Sequence, residues 1–493
     1  MASDIRASSE PSLAGVRAID PVEPRLSWLV RLSWMVCAMP ELLKSFAWDT
    51  FVLFFYAQVV GLHGGLIGMA IAIIIAFDTI VDPWIGALSD RLQSARFGRR
   101  HSLMFAAILP YMVGIALVFS PPQGMSQMMI LSWLLGFGLL ARCGISFWTV
   151  PSYAMGGELS RDADERRLIA VLRNVGNQLV ILVVPIVAFG LFFVQSGAFP
   201  KPQLDPAPYP LFGLFVSFLG GALMLVGGIG TYRRARIIER TNAPEMVVAA
   251  DNRGASLFGA FLHAIRITPN IGRLLLVAFL VLFTSSLVNQ MSLHLATYFW
   301  ELDATWTPRL LIAGILGSLL AMALAPAFTR AIGSRRAMMA GLCGYFLVQA
   351  CAIILPLAGL SPAAGTAAIG AFIFCCRFAG GICYALYVVP FNIVTYDIGD
   401  EHEANTGRPA QGIVASFMFI GLQVGGGVVA LLAGSFLGLI DFPTQLPVDQ
   451  MPGDKVAALA WFVLSLIVVA GGAMAWLVGT FRIDHGKRPA IVG

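Results

Sequence analysis

Twelve long apolar segments, separated by short polar stretches, make up most of the chain. Each segment approaches or exceeds the ~20 residues that an α-helix needs to cross a lipid bilayer. The pattern predicts an all-α integral membrane protein with transmembrane helices over 26–62, 65–89, 100–120, 126–156, 168–197, 207–231, 270–300, 307–331, 334–357, 363–396, 409–440 and 454–480. Because several segments exceed one bilayer thickness, we expect tilted or kinked helices. Four prolines are the expected kink sites: Pro40, Pro151, Pro326 and Pro390.

The longest polar stretch inside the chain follows the sixth apolar segment. It predicts two pseudo-symmetric six-helix bundles, at 26–231 and 269–480, joined by a cytoplasmic loop at 232–268. Residues 1–25 are polar, contain several Pro and Ser, and lack the apolar core of a signal peptide. We expect them to form a flexible cytoplasmic tail, with a second short tail at 481–493.

The composition fits a membrane protein, since 58% of residues are hydrophobic and 12% are charged. Basic residues concentrate in every second loop. The loops that are rich in arginine contain Arg91, Arg96, Arg99, Arg100, Arg161, Arg166, Arg167, Arg233, Arg234, Arg236, Arg335 and Arg336. The loops between them contain few basic residues besides Lys201, Arg309 and Lys455. By the positive-inside rule, the rich loops and both termini face the cytoplasm of an inner membrane. The net charge of +5 reflects this topology, and no aromatic-interleaved basic surface for nucleic acid is present.

The sequence lacks the motifs of enzymes and ATP-driven pumps. It contains no G-x-x-x-x-G-K-[ST] phosphate loop, no G-x-S-x-G elbow and no H-E-x-x-H. Its seven cysteines, including the adjacent Cys375 and Cys376, lack the spacing of a disulfide framework or zinc site. We therefore expect no catalytic residues and no cofactor.

The segment DPWIGALSDRLQSARFGRR (82–100) resembles the gating loop of the major facilitator superfamily, G-x-L-x-D-R followed by a basic cluster. Asp90 ends a helix, and Arg91, Arg99 and Arg100 follow in a tight loop. These residues are predicted to form ion pairs that hold one face shut and break on opening. The alternative is that the charges only set the topology.

A weak internal repeat adds two gating candidates. VPSYAMGGELSRDADERR (150–167) and VPFNIVTYDIGDEHEANTGR (389–408) each place a carboxylate seven residues after a proline. These carboxylates, Glu158 and Asp397, end the fourth helix of each half, and an arginine follows both. Such repeats are expected of carriers built from two related halves.

Asp78 and Asp82 lie four residues apart on one face of the second apolar helix. A bare carboxylate in the membrane is costly, so the pair needs a bound cation, a shared proton or a basic partner. We predict a site for Na+ or H+, and no other metal. The alternative is a structural salt bridge with Arg142 or Arg377.

At this point the sequence resembles a particular family. D-x-x-x-D-P (78–83), VPSYAMGGELSRDADERRLIAVLRN (150–174), NIGRLLLVAFLVLFTSSLVNQ (270–290) and GGGVVALLAG (425–434) are similar to segments of the glycoside–pentoside–hexuronide:cation symporters, the family of the melibiose carrier. The resemblance extends over nearly the whole chain. It implies the major facilitator fold, a cation site at Asp78 and Asp82, and a sugar contact at Arg173.

Other ligands of the family are replaced. Its first-helix sugar aspartate corresponds to Leu42 and its fourth-helix aspartate to Thr149, whose hydroxyl is a candidate cation ligand. The neighbouring aromatic corresponds to Tyr153 and the eleventh-helix lysine to Gln423, both substrate candidates. The resemblance thus implies that the cation pair is kept while much of the sugar clamp is lost.

Polar residues of three helices complete the predicted solute site. Asp49 lies two turns beyond Leu42 on the first helix, while Glu41 and Lys44 either neutralise each other or join the site. Arg173 and Asn177 lie one turn apart on the fifth helix, where a guanidinium favours carboxylates, phosphates, sulfonates or vicinal hydroxyls. The seventh helix contributes a polar stripe of Gln290, His294 and Tyr298. His294 either carries a proton or is simply hydrogen-bonded.

We predict a monomeric secondary active transporter that couples Na+ or H+ to symport of a small polar solute by alternating access. The expected solutes are glycosides, uronates or other organic anions, and the other partner is the lipid bilayer. A lysolipid or amphiphile carrier of the same superfamily is the first alternative, which a lateral apolar opening would distinguish. A non-transporting membrane sensor is the second, and it would need a substantial soluble domain.

Overall fold

The computed structural model describes residues 26–92, 94, 96–160, 162–194, 201–250, 265–303, 305–406 and 411–480. The regular structure of these residues is entirely helical. Twelve membrane helices follow one another in the described chain, and we number them α1 to α12. Their bounds are Trp28–Ala47 continued by the π-helical segments Trp48–Val52 and Phe55–Val60 (α1), Gly64–Arg91 (α2), Arg99–Val118 (α3), Gln127–Glu158 (α4), Ala163–Val187 continued by Ala188–Phe192 (α5), Pro208–Ala250 (α6), Pro269–Gln290 continued by Ser292–His294 and Leu295–Phe299 (α7), Trp306–Ile332 (α8), Ser334–Leu357 (α9), Ala367–Thr406 (α10), Gln411–Leu439 (α11) and Gly453–Thr480 (α12).

The predicted all-α membrane fold is confirmed. Among the described residues, ten helices are long and apolar enough to cross a membrane, and α11 has a shorter apolar stretch at Val424–Leu439. Helix α1 is less apolar because it carries four charged residues: Arg31, Glu41, Lys44 and Asp49. Helix α6 extends to Ala250, so the beginning of the predicted loop at 232–268 is helical. The proposed domain boundaries stay predictions.

Helix packing follows the division into halves. In the first half, α1 packs on α5 and α6, α3 packs on α4 and α6, and α2 packs on α4. In the second half, α10 packs on α8 and α9, while α12 packs on α7 and α9 and α11 packs on α7. Helices α2 and α5 of the first half meet α11 and α8 of the second. The π-helical segment Trp48–Val52 of α1 also meets α7, so three pairings form the seam between the bundles.

Glycines bring α2 and α11 into close contact at the end of the bundles where α1 ends and α2 begins. We call this the Gly61 end, and the opposite end, where the chain passes from α2 to α3, the Gly98 end. A Cβ atom on Gly434 would lie 2.5 Å from the Cα of Gly68, and one on Gly64 would lie 2.7 Å from the carbonyl oxygen of Gly434. Small residues are the usual means by which membrane helices approach this closely.

Hydrogen bonds between the halves lie at the same end. The Tyr298 hydroxyl of α7 donates to the Gln58 side-chain oxygen of α1 at 2.8 Å. The Gln203 amide, in the segment between α5 and α6, donates to the Thr297 hydroxyl at 2.8 Å. Gln445, between α11 and α12, donates to the carbonyl of Val59 at 3.0 Å. The described halves are therefore joined by glycine contact and by hydrogen bonds at the Gly61 end.

The opposite part of α2 is in a different environment. Ile75 still packs against Gly427 of α11. Further along α2, toward the Gly98 end, Ile80 is 73% exposed and Trp84 is 79% exposed. Among the described side chains, the tight contact with α11 thus involves the first part of α2.

Candidate functional site

Helix α2 carries Asp78 and Asp82, the two predicted cation ligands, and Asp78 forms a salt bridge with a residue of another helix. Arg142 of α4 donates through Nη1 to Asp78 Oδ2 at 2.8 Å, with the two side chains 10% and 4% exposed. The other carboxylate oxygen of Asp78 is buried and makes no hydrogen bond with a described residue. Asp82 lies one turn further along α2 and is half-buried. Of the two basic partners that the sequence leaves open, the structure places Arg142 on Asp78.

Two residues of α1 lie beside this ion pair. Lys44 is buried and interacts electrostatically with Arg142, Asp78 and Asp49. Asp49 in turn interacts with Arg142 and Lys44. We call Lys44, Asp49, Asp78 and Arg142 the charge cluster, which contains two formal charges of each sign. Asp49, predicted as a substrate ligand, therefore has the neighbours of the predicted cation site.

A wider helical turn is found where α1 meets the charge cluster. The π-helical segment Trp48–Val52 contains Asp49, and the Trp48 ring lies 5.0 Å from the guanidinium carbon of Arg142. Single π-helical turns inside α-helices occur frequently at functional sites. Trp48 also gives Arg142 a cation–π contact in addition to its carboxylate.

Helix α4 continues from Arg142 toward the predicted solute ligands. Cys143 lies within electrostatic range of both Asp78 and Asp82. Thr149 is half-buried two turns beyond Arg142, and its carbonyl accepts a hydrogen bond from Ser152 at 2.9 Å. Its role as a cation ligand stays a prediction.

A second group of side chains surrounds Arg173 of α5. The guanidinium carbon lies 3.9 Å from the ring centroid of Tyr153 and 5.2 Å from that of Trp34. The Tyr153 hydroxyl donates to Glu41 Oε2 at 3.2 Å. We call Trp34, Glu41, Tyr153 and Arg173 the arginine–aromatic cluster. Since Nη1 of Arg173 is buried and makes no hydrogen bond with a described residue, the guanidinium keeps donor capacity.

The structure gives Glu41 a specific partner that the sequence could not. Glu41 interacts electrostatically with Lys44, as one reading of the sequence suggested. Its hydrogen bond, however, comes from Tyr153 of α4. Glu41 therefore lies between the charge cluster and the arginine–aromatic cluster.

The polar stripe of α7 is packed into protein. Gln290 donates to the Gly426 carbonyl at 3.3 Å, and Tyr298 bonds to Gln58. His294 is fully buried, its ring lying 4.9 Å from that of Phe54, and neither ring nitrogen makes a hydrogen bond of ordinary geometry with a described side chain. The Gln290 carbonyl, one turn back, is the polar group that acts on its imidazole. None of these three residues lines the cavity between α5, α7, α8 and α10, and their binding roles stay predictions.

A cavity of about 440 Å³ lies between the two halves. Thr50 of α1 and Gln178 of α5 line it from the first half. The second half contributes polar side chains of α7, α8 and α10: Asn289, Ser292, Thr307, Ser318, Arg377 and Tyr384. Asn177, predicted as a ligand, is half-buried beside Gln178. On α7 the cavity is thus lined by Asn289 and Ser292, which lie one and two residues away from Gln290 of the predicted stripe.

The predicted gating loop is described only in part. Arg100 is buried and donates through Nη1 to the Ser89 hydroxyl of α2 at 3.0 Å, and Arg99 is half-buried. Four other gating candidates lie on described helices, but their side chains lie outside the described residues: Asp90, Arg91, Glu158 and Asp397. The same holds for the substrate candidate Gln423. The gating ion pairs therefore stay predictions.

A basic residue outside the membrane also joins the halves at the Gly61 end. Lys201 donates through Nζ to the carbonyls of Glu301 and Leu302 at 2.5 and 2.9 Å, and lies 3.8 Å from an Asp303 carboxylate oxygen. Burial lowers the pKa of the Lys201 ammonium, while the charges of Asp303 and Glu301 act in the opposite direction.

Comparison with known sequences places this chain in a family. The family described as MFS/sugar transport protein matches residues 34–485. The uncharacterized symporter YnaJ of Bacillus subtilis is 24% identical over 428 residues, which cover 82% of this chain and 82% of that protein. The putative glycoside/cation symporter YagG of Escherichia coli is 24% identical over 466 residues, 91% of either chain.

Solved structures share the fold. A bacterial homolog of the human lysosomal transporter Spinster, inward-facing and occupied, has a TM-score of 0.64 at 13% identity and covers 94% of this chain and 98% of its own. A bacterial homologue of the iron transporter ferroportin, also inward-facing, has a TM-score of 0.58 at 14% identity, covering 91% and 98%. At these identities the likeness shows the fold alone. The match of the family over residues 34–485, on a twelve-helix membrane fold, shows that the chain belongs to the MFS/sugar transport proteins, a symporter family of the major facilitator superfamily.

Proposed function

We propose that this protein is a cation-coupled symporter of a small polar solute in the inner membrane, with both termini in the cytoplasm. The solute is a glycoside, a uronate or another organic anion, and the coupling ion is Na+ or H+. The observation that carries the proposal is the buried ion pair between Asp78 and Arg142, within the charge cluster. The relatives named as symporters support it, since symport requires a coupling cation.

The ion pair suggests how the cation is coupled. A cation that binds Asp78 has to compete with Arg142, because a second positive charge on the same buried carboxylate is unfavourable. Release of Arg142 then changes the charge around Lys44 and Asp49, both on α1. Because α1 also carries Thr50, which lines the cavity, cation binding and solute binding act on the same helix. This is a route for thermodynamic linkage between two sites.

The arginine–aromatic cluster is the second part of the proposed site. Arg173 is held against Tyr153 and keeps a donor for a hydroxyl or an oxyanion. Aromatic rings next to a guanidinium suit the apolar face of a sugar ring, while the guanidinium suits its hydroxyls.

Alternating access is the proposed mode of movement. The contacts that close the Gly61 end, namely the glycine contact of α2 with α11 and the bond of Tyr298 with Gln58, would break in the opposite state. Rocking of the two halves around the cavity is the usual movement of such carriers.

The experiment is uptake into proteoliposomes after a ligand screen. Thermal stabilisation by glycosides, uronates, organic anions and lysolipids, with and without Na+ and at several pH values, identifies a solute. Uptake of that solute is then driven by a Na+ gradient or by a pH gradient. Asp78→Asn and Asp82→Asn should abolish accumulation and leave some solute exchange. Full accumulation by the double variant would refute the coupling site.

A lysolipid or amphiphile carrier is the second candidate, and the cavity wall favours it. Helix α8 lines the cavity with Leu310, Leu311, Ile315 and Met322, which suit an acyl chain. Stabilisation by lysolipids and not by sugars in the same screen would select this candidate.

A further inference from the structure

Arg377 of α10 differs from every other described residue that lines the central cavity. It carries the one formal charge among them, and no described aspartate or glutamate lines the cavity. The remaining polar lining consists of amides and hydroxyls, including Gln178, Asn289 and Ser292. Arg377 is therefore the one positively charged side chain on the described wall of the cavity.

Among the described residues, the guanidinium of Arg377 has no anionic partner. It makes no hydrogen bond or ion pair with a described residue, and its electrostatic neighbours are the Tyr345 phenol and the Cys376 thiol. Two other arginines within the helices do have carboxylate partners. Arg142 pairs with Asp78, and Arg31 pairs with Glu165.

An arginine inside a membrane bundle requires compensation by an anion or by water. At Arg377 the compensation has to come from the contents of the cavity, since the described wall supplies no carboxylate. A guanidinium binds a carboxylate through two parallel hydrogen bonds. A single positive charge matches a monoanion better than a doubly charged phosphate, because no second cation is present on the described wall to balance it.

The size and lining of the cavity fit a molecule with one charged group. Ligand cavities range over roughly 300–1,000 Å³, and this one measures about 440 Å³. Gln178 faces the second half from α5, and Asn289 and Ser292 lie on α7. Their amides and hydroxyls can bond to an uncharged hydroxylated part of the solute.

We propose that Arg377 is the anion-binding residue of the central cavity, and that the transported solute carries a carboxylate that docks on its guanidinium. This inference rests on the proposed function in taking the cavity as the path of the solute. It narrows the solute to carboxylate-bearing molecules and assigns recognition of the carboxylate to the second half. The hydroxyl groups are then recognised by the amides and hydroxyls of α5 and α7.

The test uses matched probes that differ in one group. Binding of methyl β-D-glucuronide and methyl β-D-glucoside, of glucuronate and glucose, and of galacturonate and galactose is measured at equilibrium on the purified full-length protein in lipid nanodiscs. In each pair a carboxylate replaces a hydroxymethyl group. The wild type should bind the carboxylate member of at least one pair about tenfold more tightly, as expected for charge-assisted hydrogen bonds.

Three variants assign this preference to Arg377. Arg377→Gln should abolish it, and Arg377→Lys should keep part of it. Asn289→Asp is nearly isosteric and adds a negative charge to the same cavity, so it should also reduce the preference while leaving Arg377 in place. The matched control is Arg309→Gln on α8, because Arg309 stacks on Trp306 at 5.1 Å and does not line the cavity. It should leave the preference unchanged.

Two results would overturn the inference. One is a folded Arg377→Gln protein that retains the full preference for the carboxylate. The other is a wild type that binds no carboxylate probe better than its neutral counterpart. Because the assay uses no ion gradient, failure of the Asp78 coupling proposal in the uptake experiment would leave the expected binding result unchanged.

Discussion

Asp78 and Arg142 face each other between α2 and α4 with 2.8 Å between carboxylate and guanidinium. Both side chains are almost completely buried, so neither charge is well solvated once its partner is removed. Such pairs are costly to break from one side, because the remaining charge stays buried.

Arg142→Gln should therefore destabilise the protein by about 3–5 kcal/mol, since it leaves Asp78 uncompensated. Adding Asp78→Asn to this variant should restore most of the loss, as the remaining groups are neutral and able to share a hydrogen bond. The measurement is a double-mutant cycle of thermal unfolding in one detergent. Additive losses in the double variant would show that the two residues do not stabilise each other.

Arg173→Lys should raise the dissociation constant of the solute found in the ligand screen. Lysine keeps the charge but loses the planar group that stacks on Tyr153 and the second donor for a bidentate contact. Equilibrium binding to the purified protein measures the effect. The control is Arg167→Lys on the same helix, where Arg167 pairs with Asp164 at an exposed position. Equal dissociation constants for wild type and Arg173→Lys would remove Arg173 from the site.

Tyr298→Phe should shift the carrier toward the state that is open at the Gly61 end. The change removes the hydrogen bond to Gln58, which contributes about 1 kcal/mol to closure, or roughly a fivefold change in the population ratio. Spin labels at the exposed positions Met128 and Leu360, on opposite halves, report the distance distribution.

The control for this change is Ser361→Ala, which removes a hydroxyl that bonds to the neighbouring Pro362 carbonyl within one half. Its distance distribution should match the wild type. An unchanged distribution for Tyr298→Phe would mean that the bond does not contribute to closure.

Gly434→Ala should hinder closure at the Gly61 end, because the added Cβ would lie 2.5 Å from the Cα of Gly68. We expect slower uptake and a larger population open at this end, measured by the same pair of spin labels. Gly472→Ala on α12 is the matched control, since its Cβ would meet no atom within 4 Å. If the Gly434→Ala protein showed the uptake rate and the spin-label distances of the wild type, α11 would accommodate the added methyl group without hindering closure.

The fold followed from the sequence because the length of an apolar run is a physical requirement of the bilayer. Segment 454–480, for example, corresponds to the helix Gly453–Thr480. The end of α6 was different, since a helix that leaves the membrane no longer needs apolar residues. The polarity of residues after 231 therefore gave no indication that the helix continues to Ala250.

The residues of the candidate site could be predicted from the sequence only where the residue type alone requires a partner, whatever the fold. An aspartate in an apolar helix needs a partner, which singled out Asp78 and gave Arg142 as one of two candidate partners in a salt bridge, and the structure shows that salt bridge. The sequence could not select Arg142 over Arg377, because that choice depends on how α2, α4 and α10 are placed. For the same reason it could not tell that Tyr298 would meet Gln58 of the other half and not a cavity.

The local helical geometry also limited the prediction on α7. Spacing by four residues assumes a regular α-helix, whereas α7 is interrupted at Met291 and widens into a π-helical turn at Leu295–Phe299. The cavity is lined by Asn289 and Ser292 instead. The amide of Asn289 and the hydroxyl of Ser292 were the available signal, but both fall outside the four-residue spacing of Gln290, His294 and Tyr298.

The glycine contact of α2 with α11 has a further consequence for the speed of the carrier. Where backbones touch without interdigitating side chains, no rotamers need to be reset when the surfaces separate or rejoin. The activation barrier for separating α2 from α11 at Gly68 and Gly434 should therefore be low. The time needed to reopen this end is then determined chiefly by the few hydrogen bonds around Gln58, Gln203 and Gln445.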